Sequence, residues 1–254
     1  MKVVIIGAGN VAHVLGRKML LSGHVIEQVI SRNKENACAL AGELGCGYGS
    51  TFQEVIKDAD FYVIAISDSA LIEINKKLFL DTKLIVHTAG SISKDVLKQV
   101  SRNYGVIYPL QSLRKEIKAI PEIPLLVDAN TPDNLTLIYD FAKTISNTVK
   151  KAGDEERAKL HVGAIMVNNF TNYLYGLTEQ YCKKEHINFK LLLPLINETG
   201  VRLRDFSPFE VQTGPAVRND VQTIQKHMEL LASYPALKNI YKLMTQNIGR
   251  DLKD

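Results

Sequence analysis

Met1-Lys2-Val3-Val4-Ile5-Ile6-Gly7-Ala8-Gly9-Asn10-Val11-Ala12 opens the chain, and its reading decides the fold. Val3 to Ile6 are apolar and mostly β-branched, the pattern of a parallel strand buried on both faces. Two glycines follow, and Val11 to Leu21 has helical spacing. A strand, a glycine turn and a helix in that order predict a phosphate-binding loop. Gly7 permits the tight turn, Gly9 lets the backbone approach a pyrophosphate, and Ala12 keeps the helix close to the strand. Backbone N–H groups at the helix start, around Asn10 and Val11, then face the anion. The same residues also suit a plain strand-to-helix turn, but their place directly after a strand favours the dinucleotide site.

Outward from this loop, Val25 to Ile30 is the second strand, ending in Ser31-Arg32. An NAD site places an acidic residue about 20 residues beyond the glycines to accept from the ribose 2′-hydroxyl. A guanidinium cannot accept that bond, but it pairs with a 2′-phosphate, so Ser31 and Arg32 point to NADP. The alternative is a surface arginine in a loop. Glu35 to Leu44 and Phe52 to Ile56 are expected as helices, and Phe61 to Ile66 as a strand closed by Ser67-Asp68-Ser69. Ligands gather at the carboxyl ends of such strands, so Ser67 and Asp68 are candidates for the cofactor and equally for capping a helix over Ala70 to Leu78. Lys83 to Val86 is the next strand, with His87 and Thr88 expected beside the nicotinamide. His87 is a candidate for proton transfer and also for a structural hydrogen bond. Gly105 to Ile107 opens into Tyr108-Pro109-Leu110-Gln111-Ser112, whose Gln111 is a candidate substrate contact. Ile123 to Val127 and Thr148 to Lys150 flank a helix after Pro132, which completes an α/β, doubly wound, mostly parallel sheet of six to eight strands over residues 1–152.

The remainder, residues 153–254, reads as all-helical: Asp154 to about Lys184, Phe189 to about Arg204, Asp220 to Ser233, and Pro235 to about Leu252. Asp154 is the expected N-cap of the first. At 100° per residue, His161, Asn168, Asn172, Tyr175 and Glu179 share a polar stripe on that long helix, flanked by Val162, Ile165, Met166 and Phe170. His161 and Asn168 are the candidate catalytic pair and Asn172 a candidate substrate contact, set against hydrogen bonding between packed helices. Arg218, in the segment around Gly214-Pro215, can clamp an anionic substrate group or join an intersubunit ion pair.

The bulk figures exclude several classes. Apolar residues make up 46% and charged residues 23%, which argues against disorder. A net charge of +4 with no dense basic stripe gives little support to nucleic acid. Cys38, Cys46 and Cys182 have neither disulfide nor zinc-site spacing, so no metal is expected. The start lacks the apolar core of a signal peptide and no run of spanning length follows, which predicts a cytoplasmic protein without a membrane partner.

GAGNVA at 7–12, SR at 31–32, HTAGS at 87–91, YPLQS at 108–112, His161 with Asn168-Asn169, and TGPAVRND at 213–220 together carry a resemblance. The first half resembles the NADP-binding domain of pyrroline-5-carboxylate reductases, β-hydroxyacid dehydrogenases and deazaflavin-dependent NADP oxidoreductases. The whole chain is similar to a bacterial family that joins this Rossmann-like domain to a helical domain of unknown function. The resemblance implies a homodimer through the helical domain, with a small-molecule substrate held between domains. It also implies that the β-hydroxyacid dehydrogenase lysine is replaced by Ala164, four residues before Asn168, so that His161 is the available proton donor. Two functions are open on this reading: an NADPH-dependent reductase of a small carbonyl or imine, and a non-catalytic NADP-binding sensor. A methyltransferase or flavoprotein is disfavoured, since Arg32 stands where an acid should meet ribose hydroxyls.

Overall fold

A computed structural model describes residues 1–251. The chain divides into two compact units, Met1–Met166 and Val167–Asp254. The first unit carries a single eight-stranded sheet. Its strands are β1 (Lys2–Ile6), β2 (Val25–Ile30), β3 (Gly47–Gly49), β4 (Phe61–Ile64), β5 (Asp81–His87), β6 (Ser101–Pro109), β7 (Leu125–Ala129) and β8 (Val149–Lys151). They lie in the order β3-β2-β1-β4-β5-β6-β7-β8. All neighbours are parallel except β6 and β7. The doubly wound, mostly parallel sheet expected from the sequence is therefore the observed one. The order reverses between β1 and β4, which opens a crevice at their carboxyl ends.

The period of two along each strand sorts the core onto two faces. Val3, Ile5, Val29, Phe61, Val63 and Val86 pack on one face with α1 (Asn10–Leu21), α2 (Lys34–Leu44) and α4 (Pro132–Ile145). Val4, Ile6, Ile30, Tyr62, Ile64 and Ile85 pack on the other with α3 (Asp68–Ile72) and the 3₁₀ turns Ile74–Lys76 and Lys94–Leu97. Each of Val3 to Ile6 is at most 1% exposed, contributing about 2 kcal/mol apiece. Such a strand tolerates nothing polar. Gly7 has φ +124°, and a Cβ there would sit 2.0 Å from the Ala65 carbonyl oxygen. Only glycine lets β1 leave the sheet so close to β4.

Several boundaries differ from the sequence reading. Phe52–Glu54 is one 3₁₀ turn rather than a helix to Ile56, and the helix expected over Ala70 to Leu78 is split into α3 and the turn Ile74–Lys76. β6 begins at Ser101, well before Gly105, because Ser101 and Asn103 still pair with β5 and spend their polar side chains on its backbone carbonyls. α5 (Asp154–Ala164) is capped by Gly153, not by Asp154, whose carboxylate instead accepts from Ser93 Oγ, the Lys94 N–H and Arg157.

The helix expected from Asp154 to Lys184 is not uniform. α5 gives way to a π-helical segment, Ile165–Phe170, before α6 (Thr171–Lys184). A wider turn there means that the 100° projection does not carry through from His161 to Asn172. The second unit continues with a 3₁₀ turn at Phe189–Leu192, α7 (Leu193–Val201), a further 3₁₀ turn at Arg202–Arg204, α8 (Val221–Leu230) and α9 (Pro235–Asp251). Asp220 caps α8, accepting from the Thr223 N–H, while the expected end of the last helix at Leu252 lies outside the described residues. Among the described residues of this unit, Cys182 and Leu231 are the buried hydrophobic ones. No helix among the described residues is long and apolar enough to cross a membrane.

Candidate functional site

The carboxyl ends of β1, β2, β4, β5 and β6 surround one cleft of about 720 Å³, a size suited to a cofactor or small ligand. Its lining belongs entirely to the first unit. From β1 and the start of α1 come Gly7, Ala8, Gly9, Asn10 and Val11; from β2, Ser31 and Arg32; from β4, Ile66, Ser67, Asp68 and Ser69; from β5, Thr88, Ala89 and Gly90. Tyr108, on β6, and His161, on α5, complete one end. With strands about 4.8 Å apart, the four steps from β2 to β6 separate Arg32 from Tyr108 by roughly 19 Å.

The β1–α1 end is built to receive an anion. Gly9 is the N-cap of α1 and offers no side chain to the helix, so the first-turn N–H groups stay open. Nothing lies within 4 Å of a Cβ built on Gly9, so the backbone borders open space there. Arg32 is exposed and makes no hydrogen bond or ion pair among the described residues. An uncommitted guanidinium at the edge of the cleft is free to take a phosphate. Ser67 precedes α3 without a side-chain cap bond, and its hydroxyl lies 3.3 Å from that of Ser69.

The β6–α5 end holds a paired acid. Tyr108 Oη and His161 Nδ1 are 2.8 Å apart, with the rings edge to face at 5.7 Å and 80°. Gly90 makes the room for them. A Cβ on Gly90 would stand 2.8 Å from both Cγ and Nδ1 of His161 and 3.1 Å from the Tyr108 ring. With that edge of the imidazole packed away, Nε2 is the nitrogen left for a ligand, and it has no protein partner among the described residues. Burial raises the Tyr108 pKa, against the opposing charge of Arg157.

Beneath this pair runs a buried polar layer. Arg157, one turn before His161 on α5, is 1% exposed and donates from Nη2 to the Ile92 carbonyl and to Asp154 Oδ1. Its Nε and Nη1 are buried without a partner, as is Nε2 of His87. His87 is fully buried, accepts at Nδ1 from the Ala89 N–H, and has its pKa pushed down to about 4 by burial and by the Arg157 charge. The ring lies within the sheet, outside the lining of the cleft, and its bond from the Ala89 N–H is the structural hydrogen bond that the sequence reading sets above proton transfer. Gln111 also stands apart from the cleft. Its amide donates to the Glu122 carbonyl and accepts from the Ser112 N–H, which ties it into its own loop. Ala12, in the first turn of α1, is buried in the core and does not line the cleft.

Asn168 falls in the π-helical segment, Asn172 in α6 and Arg218 before α8, all within the second unit. Ser50, Thr51, Phe52 and Lys77 line the cleft without having been singled out from the sequence, whereas Gly90 and Tyr108 lie in the two stretches expected to face it. For Tyr108 the signal was present, since it opens the YPLQS turn at a strand's carboxyl end.

Residues 2–90 match the family described as NADP oxidoreductase, coenzyme F420-dependent, and residues 123–248 match a domain of unknown function, DUF2520. No curated protein matches the chain. Among solved structures, BF3122 of Bacteroides fragilis, assigned by name to the NADP oxidoreductases, is 35% identical at a TM-score of 0.91, covering 98% of this chain and 97% of that one. An imine reductase of Myxococcus stipitatus in complex with NADP⁺ is 16% identical, with a TM-score of 0.68 and coverage of 100% and 94%. A 1-pyrroline-5-carboxylate reductase of Streptococcus pyogenes is 15% identical, with a TM-score of 0.66 and coverage of 98% of each chain. At those identities the last two show a shared fold.

Proposed function

The chain belongs to the NADP oxidoreductase family that includes BF3122, and from that footing we propose that it reduces a small carbonyl or imine with NADPH at the cleft above β1, β4 and β5. The observation that carries the reading is a single cleft with an anion-receiving helix start, an unpartnered arginine at one end and a histidine with a free Nε2 at the other. Gly9, Asn10 and Val11 hold the pyrophosphate through their N–H groups, Ser31 and Arg32 hold the 2′-phosphate, and Ser67, Asp68 and Thr88 border the nucleotide. When bound, the cofactor supplies hydride to an electrophilic carbon. His161 donates a hydrogen bond from Nε2 to the substrate oxygen or nitrogen as charge gathers there. The Tyr108–His161 pair favours this enzyme over a nucleotide sensor, which needs no proton donor in the cleft.

A homodimer through the helical unit is part of the same proposal. That unit leaves Leu191, Leu195 and Phe209 between 61% and 73% exposed while burying almost no apolar side chain, which a second copy of the chain would cover. The proposal is tested by calorimetric titration with NADPH and NADH, repeated on His161→Ala, followed by a screen of carbonyl and imine substrates. NADPH binding retained in His161→Ala with turnover abolished is the expected result. Binding of neither nucleotide to the wild type overturns the reading, and undiminished turnover in the variant removes His161 from it.

A further inference from the structure

We propose that Tyr108 is the positioning residue that sets the tautomer of His161, donating its phenolic hydrogen to Nδ1 so that Nε2 carries the proton presented to substrate. The inference rests on the reductase reading above, and it turns on which way one hydrogen bond runs.

Tyr108 and His161 can share a proton in two senses. If Nδ1–H donates to the phenol oxygen, the phenolic O–H needs an acceptor of its own. The Tyr108 hydroxyl has no other hydrogen-bond partner among the described residues, while the groups of the polar layer left over near α5, Nε and Nη1 of Arg157, are donors. An O–H in that setting has no protein acceptor among the described residues and forfeits a bond that the other sense makes. If the phenol donates, both atoms are satisfied and Nε2–H faces the cleft. Gly90 makes room for the arrangement, because the absence of a Cβ lets the Cγ–Nδ1 edge lie against the backbone.

The pair also balances a proton transfer. When a proton leaves Nε2 for the substrate oxygen or nitrogen, the phenolic proton moves to Nδ1. The imidazole stays neutral and Tyr108 becomes a phenolate. The guanidinium of Arg157, one turn down α5, is paired with Asp154 through Nη2 but keeps Nε and Nη1 without acceptors, and its charge favours the phenolate against burial. After product leaves, a proton taken from water at Nε2 returns the pair to rest.

The test needs no substrate. Long-range proton–nitrogen NMR of the ¹⁵N-labelled full chain, at a pH where the ring is neutral, reads the tautomer of each histidine, with His161 assigned by its loss in His161→Gln. Wild-type His161 is expected as the Nε2–H form, and in Tyr108→Phe as an exchanging mixture of both forms. His227, which makes a similar 2.8 Å bond to Tyr241 in the second unit, is unchanged in that variant and serves as the control. An Nδ1–H form in the wild type overturns the proposal, and so does a His161 signal indifferent to Tyr108→Phe. An Nδ1–H signal in the wild type overturns the proposal even if the variant folds poorly. Failure of NADPH to bind is read by calorimetry and leaves the tautomer result standing, so the two failures are distinct. With a substrate in hand, Tyr108→Phe is expected to lower kcat at least tenfold with KM and NADPH affinity little changed.

Discussion

Gly90 and Arg32 show how differently two residues of one cleft fail. Alanine at 90 puts a methyl group 2.8 Å from the His161 ring, so the imidazole must leave its place against Tyr108. We expect Gly90→Ala to fold and to bind NADPH within a few-fold of wild type, while turnover falls at least tenfold. Steady-state kinetics beside calorimetry checks this. Arg32→Ala removes one charge-assisted contact worth about 1.5–3 kcal/mol, so NADPH binding is expected to weaken roughly 10- to 100-fold with NADH binding unaltered. Equal losses for both nucleotides would show that Arg32 does not read the 2′-phosphate. At this scale the sequence was informative wherever meaning is local. GAGNVA and Ser31-Arg32 take their sense from neighbours a few positions away. The Tyr108–His161 bond spans 53 residues and depends on the register of β6 against β5, which no local pattern carries. His87 is ambiguous for the complementary reason. A strand-end histidine looks alike whether its ring points to the crevice or into the sheet.

The elements themselves break at their junctions. Gly7 is where β1 turns out beside β4, and a side chain there meets the Ala65 carbonyl. Gly7→Ala is expected to cost at least about 2 kcal/mol of stability, measured by urea unfolding. The start of α5 depends on Asp154, whose carboxyl is held below its usual range. Burial works to raise it, but bonds from Ser93, Arg157 and the Lys94 N–H outweigh that. A depressed folded pKa stabilises above the ordinary carboxylate pKa and ceases to do so as pH falls through the folded value. Asp154→Asn, which leaves the buried Arg157 charge without its partner, is expected to lose roughly 3 kcal/mol at neutral pH. Its stability should also fall less steeply in acid than that of the wild type. Apolar strands and long helices were readable because periodicity reports burial directly. The polar opening of β6, the antiparallel sense of β7 and the π-helical segment at Ile165–Phe170 were not, since each is decided by partners distant in sequence.

For the molecule as a whole, the two units have unequal interiors. The first has two filled cores, one on each face of its sheet, whereas the second has helices whose apolar residues mostly face solvent. We expect the protein to sediment at twice its 28.3 kDa, and Leu191→Glu with Leu195→Glu to bring it to the monomer mass while NADPH affinity is kept. A monomeric wild type would remove the dimer from the proposal. Arg32, finally, stands outside all of this architecture. It packs in neither core and holds no other side chain. On the proposed reading, the choice of reductant is therefore separable from the cost of keeping the chain folded. A lineage could exchange one nicotinamide pool for the other by drift at a single surface codon without approaching its stability threshold.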